Sequence, residues 1–118
     1  MTAGIARATT VLVLIVAAAC DSGHSVYLHN ATDRPVLVYE RMGNETTPPF
    51  RVEPGQTFRD AWIVPATTEE RAKSTVRRRV EATLEDGTPI FCDAYSYSQL
   101  DAMGWRIEIE RRNACPQG

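Results

Sequence analysis

Cys20, Cys92 and Cys115 have the widest chemical range of any side chains in this sequence. A thiolate can attack carbon, hold a metal or pair with a second sulfur. No two of them stand in Cys-x-x-Cys spacing, so neither a zinc site nor a thioredoxin-type redox pair is encoded. His24 and His29 fall on opposite faces of an extended segment, which argues against joint metal binding and favours solvent-facing or capping roles. Arg77, Arg78 and Arg79 suggest a polyanion site. In a strand, however, they divide between two faces, with Glu69, Glu70, Glu81 and Glu85 close in sequence. The expectation is a solvated, ion-paired strand, with Arg78 alone pointing inward and snorkelling near the strand end. Among the aromatics, Trp62 and Trp105 are expected in the core, because large rings carry much of a small domain's burial. Tyr95 and Tyr97 are then the candidate ligand-binding side chains, Tyr97 being the exposed one. Gly-x-Ser-x-Gly, a phosphate-cradling glycine loop and His-Glu-x-x-His are all missing from the sequence. The residue set therefore points to a protein that is not an enzyme and uses no metal or cofactor.

These residues are carried on 118 positions, enough for one domain. The chain is 43% hydrophobic and 24% charged, which argues against wholesale disorder. A formal charge of -2 gives no basic footprint for nucleic acid.

The N-terminus has a different composition. Arg7 is the one charge before Cys20, and residues 8–20 (ATTVLVLIVAAAC) are uncharged. That run is too short to span a bilayer, which takes about 20 apolar residues. It fits the apolar part of a secretory signal, with Ala17-Ala18-Ala19 as small residues before a cut. Val16 to Cys20 resembles the lipobox of bacterial lipoprotein precursors, although Ala17 stands where Leu is common. The resemblance implies a signal peptide over 1–19 and a diacylated Cys20 as the mature N-terminus, holding the protein at the extracytoplasmic face of a cell membrane. Two acyl chains suffice for stable anchoring where one is marginal. Asp21 resembles the signal that retains some Gram-negative lipoproteins in the inner membrane. The same Ala-x-Ala ending also suits ordinary signal peptidase, which would release a soluble secreted protein.

With Cys20 assigned to lipid, Cys92 and Cys115 remain as an even pair in an oxidising compartment, and a disulfide between them is expected. It would stabilise the fold by roughly 3 kcal/mol on loop-entropy grounds. The alternative is two reduced cysteines, Cys92 buried and Cys115 exposed.

Residues 20–24 read as a tether and 25–118 as a single β-rich domain. Ser25–His29 alternates, Asn30–Asp33 is a turn, and Pro35–Glu40 is a β-branched strand. Met42–Pro49 reads as a loop, Glu53-Pro54-Gly55-Gln56 as a type II turn, and Thr57–Val64 as extended again. Thr67 and Glu70 stand in capping-box spacing, so 65–74 is either one exposed helical turn or a polar loop. Val76 to Leu84 alternates and leads into Glu85-Asp86-Gly87, a three-residue hairpin loop. That loop sets Leu84 opposite Thr88, Ala82 opposite Ile90, Val80 opposite Cys92 and Arg79 opposite Asp93. A two-residue turn would set Glu81 against Cys92 and mix the faces. Ser96 and Gln99 in capping-box spacing, with Gly104 as a stop, predict a short helix over Tyr97–Met103 with Leu100 and Met103 on the core. Trp105 to Arg111 alternates with Trp105, Ile107 and Ile109 inward; either it pairs away from Pro89–Tyr95 or the tail doubles back to bring Cys115 to Cys92.

Together these elements predict a mainly all-β protein, a small antiparallel β-sandwich or partly open barrel with one short helix at Tyr97–Met103. Val26 to Arg59, with Asn30-x-Thr32, Pro35-to-Tyr39 and Glu53-Pro54-Gly55, resembles immunoglobulin-like and von Hippel–Lindau-type β domains, a likeness of fold that implies no function. The expectation is a membrane-anchored, non-catalytic lipoprotein acting through protein or envelope contacts. The alternative is a soluble secreted module that binds a ligand through its exposed Tyr and Trp residues.

Overall fold

Period-two alternation of apolar residues governs this chain. The computed structural model, which describes residues 21–112, has mostly strands. In order they are β1 (Asp21–Asn30), β2 (Val36–Met42), β3 (Glu45–Thr46), β4 (Phe50–Val52), β5 (Thr57–Pro65), β6 (Arg77–Leu84), β7 (Pro89–Ser96) and β8 (Arg106–Ile109). Helix α1 (Thr68–Lys73) follows β5 and α2 (Tyr97–Ala102) follows β7. One sheet has the order β5-β1-β8; the other runs β3-β2-β6-β7, with β4 also paired to β2. The inward residues of both sheets merge in one core that includes Val26, Leu28, Val38, Val80, Leu100 and Ile107. Each such side chain stabilises the fold by about 1.5–3 kcal/mol on burial. Phe50 and Phe58 stack at 4.2 Å between the sheets. The architecture is a small β-sandwich with two short helices, as the alternation predicted.

Asn30 ties the sheets at one end. It is fully buried, and its amide donates to the carbonyls of Arg34 at 2.7 Å and Val52 at 3.0 Å. Its Oδ1 accepts from the Thr32 amide at 2.9 Å and hydroxyl at 2.6 Å, the Asx turn that Asn and Thr at this spacing favour. The Glu53–Gln56 turn closes with Gly55 at φ 75, the left-handed position that glycine adopts without strain.

Several expectations need correction. From Asp21 onward the supposed tether is strand, with Asp21 opposite Pro65 in the β1–β5 ladder. The 65–74 segment does form a helix: Thr67 caps it by accepting from the Glu70 amide at 3.1 Å. Arg71 then fastens it to Asp101 at 2.9 Å and to the Pro65 carbonyl at 3.0 Å. The capping box of α2 forms as predicted and Leu100 is buried, but Met103 is 39% exposed. The helix stops at Ala102, and the chain turns through Gly104 and Trp105, both at positive φ, so Trp105 takes the inward place.

The β6–β7 hairpin begins in the predicted register, with Leu84 donating to the Thr88 carbonyl and Thr83 opposite Pro89. A bulge then shifts the ladder by one residue, so Ala82 faces Phe91, Glu81 faces Cys92, Val80 faces Asp93 and Arg79 faces Ala94. The bulge lets consecutive Ile90 and Phe91 both enter the core, and that burial outweighs strict alternation. β8 pairs in parallel with β1, Leu28 opposite Ile107, and so lies away from β7.

Candidate functional site

The space between the sheets holds a polar cluster that no sequence motif marks. Alternation in β2 places Glu40 on the same face as Val36 and Val38, and it is only 6% exposed. From β5 the inward row is Phe58, Asp60, Trp62 and Val64; from β6 it includes Arg78 and Val80. Trp62 donates its indole N–H to Glu40 Oε2, and the Arg78 guanidinium stacks 4.2 Å over the Trp62 ring. Burial pushes the Glu40 carboxyl up to about 8; its hydrogen bond with Asp60 and the Asp60 charge act the same way, against the Trp62 hydrogen bond and the Arg78 charge. A Glu40 carboxyl raised this far keeps its proton at neutral pH. The signal for this cluster lay in the sequence as a charged residue continuing an apolar face, Val36-x-Val38-x-Glu40.

A second feature lies on the opposite side of the β2–β6–β7 sheet. A groove of about 490 Å³ is bounded by Tyr39, Arg41, Arg79, Glu81, Cys92 and Arg112. Arg41 pairs with Glu81 at 3.1 Å, and Arg79 Nε lies 3.3 Å from Cys92 Sγ. The bulge in β7 sets Cys92 beside Glu81 on this outer side, whereas the uninterrupted register put it beside Val80. Arg112 lies along the outer edge of β7: its amide donates to the Ile90 carbonyl at 2.5 Å, its guanidinium to Asp93 at 2.8 Å, and it sits 5.8 Å over the Phe91 ring.

Of the residues singled out in the sequence, Cys20 and Cys115 lie outside the described residues, as do the 1–19 segment and the tail after Arg112. Tyr95 and Tyr97 are 7% and 3% exposed, so Tyr97 is not the surface contact expected of it. Burial, with the neighbouring Asp93 charge, raises the Tyr95 phenol. Trp62 and Trp105 are buried as predicted. His24 stacks on Trp105 at 3.8 Å, while His29 Nδ1 meets Glu108 at 2.5 Å, so the two rings serve separate places. The arginine run divides as predicted: Arg78 goes inward to Trp62, and Arg79 goes outward beside Glu81. Among the described residues no group of three metal-ligating side chains converges, and no helix is long and apolar enough to cross a membrane.

No protein family matches this chain, and neither a curated protein nor a solved structure does so.

Proposed function

We propose that the chain is an exported, non-catalytic lipoprotein, anchored through diacylated Cys20 and acting through protein or envelope contacts at a membrane surface. The reading rests on one juxtaposition: the lipobox-like Val16–Cys20 segment is followed at once by β1, which begins at Asp21. An acylated Cys20 would thus hold the sandwich directly against the bilayer with no linker, and two acyl chains make that attachment lasting. A non-catalytic role is supported by the use of Glu40, the carboxyl raised to about 8, which is turned between the sheets and bonded by Trp62. The exposed side of the β5-β1-β8 sheet suits a contact face. There Tyr27 lies between Arg59 and Arg106, and Ile63 is 67% exposed. An aromatic ligand platform has less support, because Tyr95, Tyr97, Trp62 and Trp105 are all buried.

The test is expression of the full chain in a bacterial host fed a labelled fatty acid. The wild type is expected to take up label and enter the detergent phase, and Cys20→Ser to do neither. An unlabelled wild type whose N-terminal peptide has no acyl mass overturns the proposal.

A further inference from the structure

The groove on the outer side of β2, β6 and β7 ends at Arg112, the last residue before the segment NACPQG. Arg112 is held there by three contacts, to the Ile90 carbonyl, the Asp93 carboxylate and the Phe91 ring. Arg112 thus lies at the edge of β7 beside Ile90, two residues from Cys92, which lines the same groove. Cys115 follows Arg112 by three positions, a reach of roughly 10 Å in an extended chain. Asn113 to Gly118 carry no charged side chain and so bring no repulsion to Arg41 and Arg79, and Pro116 has no amide proton to satisfy. β8 pairs with β1, which frees the segment beyond it to return to β7.

We infer that this groove is the seat of the chain's own segment Asn113–Gly118, fastened by a bond between Cys92 Sγ and Cys115 Sγ. The inference rests on the proposed export, which supplies an oxidising compartment. Bond formation is thiol–disulfide exchange: the two thiols lose two protons and two electrons, and a disulfide-bearing oxidant takes them up to become a dithiol. Seated in this way, the segment covers the outer side of one sheet. The β5-β1-β8 sheet is then left as the face for partners.

The experiment uses the full chain from its membrane, alkylated without reduction, digested and weighed. A peptide pair linking Cys92 to Cys115 is expected. Either cysteine found alkylated, or bonded to Cys20, overturns the inference. Hydroxyl-radical footprinting then tests the seat itself: modification of Tyr39 should rise severalfold on reduction or in Cys115→Ser, and unchanged modification overturns the seating even with the bond present. The N-terminal peptide in the same digest reports acylation separately. An acylated chain with two free thiols defeats this inference alone, and a bonded chain without acyl mass defeats the anchoring alone.

Discussion

Trp62 on β5 donates its indole N–H to the Glu40 carboxyl on β2, so this hydrogen bond ties one sheet to the other inside the polar cluster between them. Removing the donor while keeping a ring isolates its consequence. Trp62→Phe leaves the Glu40 oxygen without this donor and weakens the stacking of Arg78, a loss expected at about 1–3 kcal/mol. Urea unfolding followed by circular dichroism measures it, and an unchanged midpoint contradicts the bond's role.

The Glu40 carboxyl also makes stability depend on pH. Its folded value, raised to about 8 from an ordinary 4.5, means the folded chain keeps a proton that the unfolded chain releases. Its contribution is therefore fully present below the ordinary value, is lost progressively as pH rises towards the folded value, and levels off above it. Glu40→Gln should flatten this decline. Thermal midpoints across that window check it, and equal slopes in both proteins refute the assignment.

Asp101 acts in the opposite direction. Burial raises its carboxyl, but hydrogen bonds from Arg71 and Trp105, with the charges of Arg71 and His24, together hold it below the usual range. A lowered group contributes stability above its unfolded value and loses it as pH falls through its folded value. Asp101→Asn is expected to destabilise at neutral pH and to remove that part of the acid transition, as read by acid titration of ellipticity.

Asn30→Ala removes the amide that donates to the carbonyls of Arg34 and Val52, leaving the Arg34 carbonyl only its Thr32 hydroxyl donor at 3.0 Å. A loss of about 1–3 kcal/mol is expected for removing a buried donor from these acceptors. Asn30→Asp should do no better at neutral pH, because it turns a carboxylate towards the same two carbonyls. Denaturant midpoints for both variants decide the point.

Gly104 and Gly23 form a matched pair, since a Cβ on either meets nothing within 4 Å. At Gly104, φ is 66, so Gly104→Ala costs about 1–2 kcal/mol from backbone conformation alone. Gly23 lies in β1 without that constraint, and Gly23→Ala is expected to be neutral or slightly stabilising. Equal melting temperatures for the two variants contradict the account.

Local chemistry along the chain was enough to identify most elements of this fold. Alternation marked the strands, Ser96 with Gln99 marked the start of α2, and Glu53-Pro54-Gly55-Gln56 marked a turn, because each depends on neighbours within a few residues. The inward direction of Arg78 was legible for the same reason, though the Trp62 ring that receives it was not. What tertiary structure decided was pairing at a distance. The parallel β1–β8 ladder, the bulge that buries Ile90 with Phe91 and turns Cys92 outward, and the meeting of Glu40 with Asp60 and Trp62 all join residues far apart in the chain or depend on packing between sheets. Periodicity says which face a side chain occupies; only the assembled sandwich determines what that face meets, because core filling outweighs local register where the two conflict.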